Sequence, residues 1–429
     1  MTRRPKTYKK REIAGQRLHP ETLMMGYGYD PMLSEGSIKP PIFQTSTFVF
    51  RTAEDGRAFF ELAYGKREQR PDEDPGLIYS RINNPDLEVL EDRLALWDGA
   101  ETALAFTSGM AAISTCMFTY LKPGDAFVHS DPVYGGTEFL FRKILPGFGL
   151  ERASFNAGDA GDGPEKAAAS IGDPSRIKAI YVETPANPTN ALVDIAACRR
   201  LSESLARKDG SRPPVIVDNT FLGPLWQHPL EHGADIAIYS LTKYVGGHSD
   251  VIAGACAGPA SWINPIKGMR TILGSMLHPF DSWLLMRSLE TLKLRMNAAA
   301  ENAKLIAAFL RQNAKVEHVD YLEFLDSGDP RRPLFERQCA SAGSTFSFAL
   351  TGGQAAAFRF LNALEHIKLA VSLGGTETLI SHPATTTHSD LSPDELERMG
   401  VTPGLVRISV GIEHPDDLIA DLRQALARA

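Results

Sequence analysis

Between residues 84 and 294, short and almost wholly apolar runs alternate with longer stretches of helical periodicity. The runs lie at residues 103–106, 126–129, 177–182, 214–217 and 235–239. Runs this short and this apolar are typical of parallel strands that are buried on both faces of a sheet. We therefore predict an α/β fold with a mostly parallel central sheet and right-handed crossovers. In such sheets, ligands bind at the carboxyl ends of the strands.

The flanking segments differ from this middle part. Residues 1–83 are rich in Gly, Pro and Thr and include a charged stretch at 66–74, which predicts an irregular arm with an exposed loop. Asn83 or Asn84 can cap the first core helix, and Pro85 suits its first position. From residue 295 onward the pattern indicates a smaller α+β domain. We thus predict an arm over 1–83, an α/β domain over 84–294 and a C-terminal α+β domain over 295–429.

Composition narrows the classes of partner and location. The 429 residues carry a net charge of −7, which gives no reason to propose nucleic acid or a membrane as a partner. Residues 102–121 are uncharged, but Ser108 and Gly109 interrupt them, so we predict a strand, a turn and a buried helix there. The four cysteines are widely spaced, which favours reduced thiols and a cytoplasmic location.

A lysine and a serine-glycine turn suit the binding of a phosphorylated aldehyde cofactor. Lys243 follows the run at 235–239. Most lysines are solvated surface residues, but a lysine amine that ends a buried strand can form an imine with an aldehyde. The turn after the run at 103–106 lets backbone N–H groups approach a phosphate, although many buried helices begin in this way. That turn is Ser108-Gly109-Met110-Ala111, and the hydroxyls of Ser240 and Thr242, next to Lys243, can also bind phosphate.

Three further residues have both a structural and a functional explanation. Asp218 ends the run at 214–217, where it could cap the structure or favour a protonated pyridine nitrogen. Arg81, in the segment Tyr79-Ser80-Arg81, precedes the first core helix, and Arg407 lies in an apolar stretch near the C-terminus. Either arginine could form a surface ion pair or bind a phosphate or carboxylate through its planar guanidinium.

Together these segments resemble the transsulfuration (Cys/Met metabolism) family of pyridoxal-5′-phosphate (PLP) enzymes. That family includes cystathionine synthases and lyases, methionine γ-lyase and homoserine sulfhydrylases. The resemblance covers roughly residues 20–429, and its motifs are YSRINNP (79–85), SGMAA (108–112), YGGT (134–137), ETPANP (183–188), VDNTF (217–221), SLTKYVGGHSD (240–250), SLGGTETLISHPATTTH (372–388) and GLVRISVGIE (404–413).

The resemblance implies the aminotransferase-like architecture of fold-type I PLP enzymes and an amino acid as the substrate. It also implies a homo-oligomer, a tetramer of two active dimers, in which the N-terminal arm reaches a neighbour. Lys243 matches the lysine that carries PLP, and Asp218 matches the partner of the pyridinium. Tyr134 matches the tyrosine that stacks on the ring, and Asn187 matches the contact to the ring hydroxyl.

Further site residues are implied in the same way. Tyr79 and Arg81 match the pair that binds the phosphate of the neighbouring subunit's cofactor. Ser372 and Arg407 match the residues that hold the substrate carboxylate. The residues that match the phosphate cup are Ser108, Gly109, Met110, Ser240 and Thr242.

Two reactions are consistent with these residues. The first choice is γ-elimination from a methionine-like thioether, with Lys243 moving protons and Tyr134 protonating a leaving thiolate. The alternative is γ-replacement on an O-acylhomoserine, as in cystathionine synthases and homoserine sulfhydrylases. Methionine γ-lyases usually carry a Cys where this chain has Gly136 and a Lys-Asp pair at Arg270-Thr271. Enzymes that handle cystathionine often carry a Glu where this chain has Val371, which cannot pair with a distal ammonium.

Other function classes are less well supported. A catalytically silent PLP-binding protein would not need Lys243, Asp218, Tyr134 and Arg407 together. Residues 26–28 (GYG) lack the third glycine of a dinucleotide-binding turn, which argues against a dehydrogenase. The histidines at 382 and 388 lie in a Pro/Thr-rich segment without further ligands, so we predict no metal site.

Overall fold

The structure is a computed structural model that describes residues 7–70, 73, 76–158, 162–389 and 391–429. The predicted loop at 66–74 therefore falls partly outside the described residues. The described part of the arm contains a two-stranded hairpin and two α-helices. Their bounds are β1 (Glu12–Ile13), β2 (Gln16–Arg17), α1 (Pro20–Leu23) and α2 (Ala53–Ala63).

Helix α2 lies in the segment that we predicted to be irregular, and that part of the prediction is wrong. The hydroxyl of Thr52 accepts a hydrogen bond from the backbone N–H of Asp55 and so caps the helix. Glu54 and Asp55 in the first turn also suit the positive end of the helix dipole. The arm as a whole is rich in Gly, Pro and Thr, and this composition predicted an irregular segment despite the helix-start signals at residues 52–55.

A seven-stranded sheet forms the centre of the next segment. Its strands are β3 (Thr102–Phe106), β4 (Ala126–Asp131), β5 (Glu151–Asn156), β6 (Ile177–Glu183), β7 (Val215–Asp218), β8 (Ile236–Ser240) and β9 (Gly254–Gly258). The spatial order is β3-β9-β8-β7-β6-β4-β5, and every neighbouring pair is parallel except the two that include β9. The predicted mostly parallel sheet is thus confirmed.

All five apolar runs are strands, whereas β5 and β9 were not predicted. Strand β5 is at the edge and alternates buried with more exposed positions, so it lacks a continuous apolar run. Strand β9 has the sequence GACAG, which is poor in the β-branched and aromatic residues that usually mark strands. Its burial between β3 and β8 comes from tertiary packing.

Helices cover this sheet. Asn84 caps α3 by accepting the backbone N–H of Asp86, and Ser108 caps α4 by accepting that of Ala111. The predicted strand, turn and buried helix over 102–121 are therefore confirmed, and no described helix is long and apolar enough to cross a membrane. The helices are α3 (Pro85–Trp97), α4 (Gly109–Tyr120), α5 (Gly135–Phe139), α6 (Gly163–Ala169), α7 (Ile195–Ser204), α8 (Gly223–Trp226), α9 (Ala260–Leu273) and α10 (Pro279–Leu289).

A second sheet of five strands lies in the C-terminal segment, as predicted for an α+β part. Its strands are β10 (Val316–Asp320), β11 (Thr345–Leu350), β12 (Lys368–Leu369), β13 (Leu379–Ser381) and β14 (Leu405–Ser409), in the order β10-β11-β14-β13-β12. The helices are α11 (Leu292–Arg311), α12 (Arg332–Gln338), α13 (Gly353–Ala363), α14 (Pro393–Arg398) and α15 (Pro415–Arg428). One hydrophobic cluster runs from Leu23 to Leu426 and joins all three segments. The exact domain boundaries stay predictions.

Candidate active site

The carboxyl ends of β6, β7 and β8 face side chains from the C-terminal sheet. Lys243 follows β8, and its Nζ donates a hydrogen bond of 2.8 Å to the Oγ of Ser372. Arg407 lies on β14, and its Nη1 donates to the Oδ1 of Asn187 at 2.9 Å. These contacts join residues 129 and 220 positions apart in the chain. The predicted lysine and the predicted carboxylate-binding residues thus lie in one site.

The Lys243 amine is suited to proton transfer near neutral pH. Burial lowers its pKa to about 8, and the neighbouring positive charge of Arg407 acts in the same direction. An ordinary lysine has a pKa of about 10.4, so a far larger fraction of this amine is neutral at pH 7. A neutral amine is required both for attack on an aldehyde and for accepting a proton.

Arg407 is held on two sides and keeps one N–H group unused. Its Nη2 donates to the backbone carbonyl of Ser372 at 2.8 Å, and its Nη1 donates to Asn187. Its Nε is buried without a hydrogen-bond partner among the described residues. Burial lowers the pKa of Arg407 to about 10, so the guanidinium stays charged at neutral pH. A buried guanidinium with an unused donor is suited to an anionic ligand such as a carboxylate.

Ser372 adopts an unusual backbone conformation in the middle of these contacts. Its φ is +101°, a region that non-glycine residues rarely adopt. In this conformation its carbonyl accepts from Arg407 and its hydroxyl accepts from Lys243. Residues held in such regions are concentrated at ligand and active sites, because the surrounding structure must compensate for the strain.

Asp218 ends β7 as predicted and is almost fully buried. Its Oδ1 accepts the backbone N–H of Thr220 at 3.0 Å, and its Oδ2 accepts the hydroxyl of Tyr181 at 3.1 Å. Burial raises the pKa of Asp218 above its usual range, and these hydrogen bonds oppose that shift. No described side-chain cation forms a hydrogen bond with this carboxylate. A positively charged ring nitrogen next to it would favour the ionised form.

Glu183 is a site residue that we did not single out from the sequence. It ends β6 and lies opposite Asp218 in the register of β6 and β7. Its Oε2 accepts the backbone N–H of Tyr134 at 2.7 Å, and its Oε1 accepts that of Asn187 at 3.1 Å. A carboxylate that ends a buried apolar strand was the signal that identified Asp218, and the same signal applies to Glu183.

The predicted phosphate ligands gather where α4 begins. A Cβ atom at Gly109 would lie 3.0 Å from the Cβ of Ser240, which is tighter than ordinary contact, so glycine permits the close approach of α4 to β8. The backbone N–H of Ser240 donates to the hydroxyl of Thr220 at 2.8 Å. The hydroxyl of Thr242 donates to the carbonyl of Ala253 and also accepts from its N–H. Thr242 thus already holds the backbone, and its role toward phosphate stays a prediction.

The ring of Tyr134 lies beside Gly136 and Met110. Tyr134 is 44% exposed. A Cβ atom at Gly136 would lie 2.7 Å from the Tyr134 ring and 3.2 Å from the sulfur of Met110. A side chain at position 136, such as the cysteine of methionine γ-lyases, would therefore force the ring to move. Arg270 is the other position at which this chain differs from methionine γ-lyases. Its side chain is buried, pairs with Glu91 and donates a hydrogen bond to the Ala105 carbonyl at 2.7 Å.

Tyr79 and Arg81 do not join this cluster within the chain. Tyr79 is 41% exposed, and the described part of the chain shows no hydrogen bond from it to the cluster. Arg81 is exposed and donates to the backbone carbonyl of Thr271 at 2.7 Å, at the end of α9. Their predicted role toward a neighbouring subunit stays a prediction.

One group of side chains in the described residues resembles a metal site, but its chemistry differs. His129, Asp131 and Glu138 lie close together. The Nε2 of His129 lies 3.0 Å from the Nη1 of Arg152, and its Nδ1 lies 2.9 Å from the carbonyl of Ser130. Because burial lowers the pKa of His129, the ring is neutral and donates through Nδ1 while accepting from Arg152. Both nitrogens are therefore engaged without a metal.

The residues of the site fit PLP. A buried lysine amine with a lowered pKa, a buried strand-end carboxylate and the start of the 12-residue helix α4 lie around one region. The unused Nε of Arg407 provides a buried donor for a carboxylate. A Cβ atom at Gly109 would crowd Ser240, and the absence of a side chain there leaves the backbone N–H groups at the start of α4 open to a phosphate.

Comparison with known proteins agrees with this geometry. Residues 21–427 match the family described as Cys/Met metabolism PLP-dependent enzyme. The L-methionine γ-lyase of Pseudomonas putida is 39% identical over 407 residues, which are 94% of this chain and 96% of that protein. The O-succinylhomoserine sulfhydrylase of Pseudomonas aeruginosa is 37% identical over 393 residues, which are 92% of each chain.

A solved structure shows the same architecture. The cystathionine γ-synthase of Xanthomonas oryzae pv. oryzae, in complex with aminoacrylate and cysteine, superimposes with a TM-score of 0.84. It is 31% identical, and the match covers 96% of this chain and 99% of that one. The predicted fold-type I architecture is confirmed. The chain belongs to the Cys/Met metabolism family of PLP-dependent enzymes, and PLP is its cofactor.

Proposed function

We propose that this enzyme performs γ-elimination on a methionine-like thioether, with release of a thiol, ammonia and a 2-oxo acid. The observation that carries the proposal is Val371, which is 55% exposed and directly precedes Ser372 in the site. An apolar side chain here suits an apolar substituent on the substrate and cannot pair with a distal ammonium. The 39% identity to the L-methionine γ-lyase of Pseudomonas putida supports the same reaction.

The cofactor would be held by residues from three strand ends and from α4. Lys243 would bind it covalently, and Asp218 would contact its ring nitrogen. When bound, PLP supplies an electron-withdrawing ring that stabilises negative charge on the substrate Cα. Tyr134 would stack on the ring, and Asn187 would contact the ring hydroxyl. The phosphate would be bound by Ser108, Gly109, Met110, Ser240 and Thr242 and, from a neighbouring subunit, by Tyr79 and Arg81.

Three side chains would then act on the substrate. Arg407 would bind the α-carboxylate through its unused Nε, with Ser372 beside it. The amine of Lys243, with its pKa near 8, would remove and return protons at Cα and Cβ. The hydroxyl of Tyr134, which is partly exposed, would protonate the leaving thiolate.

The alternative is γ-replacement on an O-acylhomoserine. The similarity to the O-succinylhomoserine sulfhydrylase of Pseudomonas aeruginosa favours it, at 37% identity. Gly136 also favours it, because methionine γ-lyases usually carry a cysteine at this position. Here a Cβ atom would lie 2.7 Å from the Tyr134 ring, so the ring occupies a place that such a cysteine would disturb. Both reactions use the same residues around Lys243. They differ after the leaving group departs, because a thiol adds at the γ-carbon only in γ-replacement.

The two reactions are separated by one assay. Purified enzyme is incubated with methionine, cystathionine, O-succinylhomoserine or O-acetylhomoserine, with and without an added thiol. We expect ammonia and 2-oxobutanoate from methionine when no thiol is added. Formation of a new thioether from an acylated homoserine only in the presence of thiol, with no release from methionine, would overturn the proposal and establish the alternative.

We also propose a tetramer of two active dimers and a cytoplasmic location. The dimer is supported by the exposed Tyr79 and Arg81 and by apolar side chains of the arm that stay exposed in the single chain. The location is supported by the four cysteines, all of which are buried free thiols. Size-exclusion chromatography with light scattering tests the assembly, which we expect to have four times the 46.8 kDa mass of the chain.

A further inference from the structure

The carboxylate of Glu183 links two loops that reach the site from different parts of the sheet. Tyr134 directly precedes α5 and follows β4, whereas Asn187 lies in the segment after β6. Each backbone N–H donates to a different oxygen of Glu183, at 2.7 Å and 3.1 Å. Glu183 is only 4% exposed, so water does not compete for these bonds. One side chain therefore fixes the distance between the two loops.

Both loops carry a side chain that reaches the site. The Tyr134 ring and the sulfur of Met110, at the start of α4, both border Gly136, where an added Cβ would lie 2.7 Å from the ring and 3.2 Å from the sulfur. The Oδ1 of Asn187 accepts from Arg407, so the placement of Asn187 also bears on the guanidinium. Glu183 contacts neither Lys243 nor Arg407 through a hydrogen bond among the described residues. Its side-chain hydrogen bonds to the site therefore go through Tyr134 and Asn187, and its charge is also felt by Asp218 and Arg407.

The location of Glu183 is costly for a purely structural residue. Its neighbour across β6 and β7 is Asp218, a second buried carboxylate. Burial and the charge of Asp218 together raise the pKa of Glu183 above its usual range, while its two backbone hydrogen bonds and Arg407 oppose the shift and favour the carboxylate. A glutamine at this position could accept the backbone N–H of Tyr134 or of Asn187 through its carbonyl oxygen. Its NH2 group would then face the other backbone N–H, and two donors cannot form a hydrogen bond.

We propose that Glu183 is a positioning residue that sets the Tyr134 ring and Asn187 in the places where they contact the bound cofactor. The inference rests on the proposed roles of Lys243, Tyr134 and Asn187, and it does not depend on the amino-acid substrate. It deepens the proposed function, because the same carboxylate would position both the Tyr134 ring that stacks on the cofactor and the Asn187 side chain that contacts the ring hydroxyl.

The test compares apoenzymes of the wild type, Glu183→Gln and Glu183→Asp, each titrated with PLP. We expect Glu183→Gln to raise the PLP dissociation constant about 10- to 100-fold, since a hydrogen bond to a charged group is lost. The circular dichroism of bound PLP, which reports the ring's orientation in its site, should also decrease. Glu183→Asp keeps the charge and should recover part of both signals. Borohydride should still trap PLP on Lys243 in both variants.

Asp235→Asn is the matched control. Asp235 is also buried and accepts a backbone N–H, that of Val215 at 2.9 Å, but it precedes β8 at the opposite end of the strands. We expect this variant to lose stability and to keep the wild-type PLP constant and dichroism. An equal effect of Asp235→Asn on both signals would overturn the proposal, as would wild-type values in Glu183→Gln.

A second measurement keeps the proposal testable if Glu183→Gln does not fold. Hydrogen exchange in the wild-type apoenzyme should show slow exchange at the backbone amides of Tyr134 and Asn187, because Glu183 holds both. Rapid exchange at either amide would overturn the proposal. None of these measurements uses an amino-acid substrate. If the enzyme does not cleave methionine but the PLP constant, dichroism and exchange are as expected, only the proposed reaction is refuted and the role of Glu183 stands.

Discussion

The Lys243 site and the N-terminal arm are opposite kinds of surface in this chain. The site gathers buried and half-buried polar side chains that are hydrogen-bonded to residues more than 100 positions away. The arm exposes large apolar side chains to solvent, among them Met32 at 76%, Ile38 at 82% and Val49 at 94%. A single chain thus brings together the residues around Lys243 but leaves the apolar side chains of the arm exposed.

This difference indicates where each region finds its partners. The arm is attached to its own chain at a few points, such as the N–H of Phe43 on the Asp86 carboxylate at 2.7 Å and the indole of Trp283 on the carbonyl of Pro40 at 3.1 Å. Apolar residues beyond those points remain exposed, which is typical of a surface that meets another protein. The exposed arm is therefore the surface at which we propose that a second subunit binds, whereas the residues around Lys243 bind small molecules.

The largest expected effect is on the site. Lys243→Ala should abolish covalent attachment of PLP and reduce turnover by at least about a thousandfold, because the variant loses both nucleophile and proton carrier. Borohydride reduction followed by mass spectrometry measures the attachment. Lys267→Ala, at an exposed lysine of α9, is the control and should behave as the wild type. A borohydride-stable linkage in Lys243→Ala would show that another amine carries the cofactor.

Asp218→Asn should have the next largest effect. A neutral amide no longer favours a protonated ring nitrogen, so turnover should decrease by at least about a hundredfold while PLP stays attached to Lys243. Steady-state kinetics and borohydride trapping on the same preparation measure the two quantities. Near-normal turnover would mean that another group performs this role. It would then be wrong to count Asp218 among the residues that the single chain brings together for catalysis.

The pH dependence of cofactor attachment tests the lowered pKa of Lys243. Only the neutral amine attacks an aldehyde, so the attachment rate in apoenzyme should rise about tenfold per pH unit below about pH 8 and level off above it. An ordinary lysine would let the rate continue to rise to about pH 10.4. Stopped-flow absorbance measures the rate. A rate that still rises tenfold per unit above about pH 9 would contradict the influence of burial and Arg407.

Complementation tests whether the arm serves a neighbouring site. Arg81→Ala and Lys243→Ala are each expected to be inactive, and a mixed dimer would contain one site with both defects and one site with neither. Random mixing makes half of the dimers mixed, so about a quarter of wild-type activity should return if the sites act independently. Co-expression with two affinity tags isolates the mixed dimers, which should show about half of wild-type activity, because one of their two sites carries neither substitution. Activity no higher than that of the single variants would place Arg81 in its own subunit's structure.

The smallest expected effect concerns the loop at 66–74. Arg67 binds both carboxylate oxygens of Glu73 at 2.6 and 2.7 Å and reaches Glu61 of α2 at 3.3 Å. We expect the loop to border a neighbour's active-site entrance, so Arg67→Ala should change the preference between small and large thioethers by about two- to fivefold. Arg57→Ala, on the exposed side of α2, is the control. An unchanged preference in Arg67→Ala and in a loop deletion would make the loop a surface insertion.

Much of the site could be predicted because its residues end recognisable strands. Lys243 and Asp218 both follow short apolar runs, and the carboxyl ends of parallel strands meet at one edge of a sheet. The same rule applied to the run at 177–182 would have identified Glu183. Arg407 was harder to place, because its strand β14 belongs to the second sheet and its distance from Lys243 depends on how the two sheets pack.

The sequence by itself determined the parallel sheet, the capped start of α3 and the strand ends that carry the lysine and the aspartate. These features depend on periodicity and on residues that are close in the chain, so local patterns reveal them. Tertiary structure decided the rest. The GACAG segment forms the interior strand β9 between β3 and β8, Glu183 joins two loops, and Arg407 contacts Asn187, which is 220 residues away in the chain. Such contacts depend on the packing of distant segments, and no local pattern specifies them.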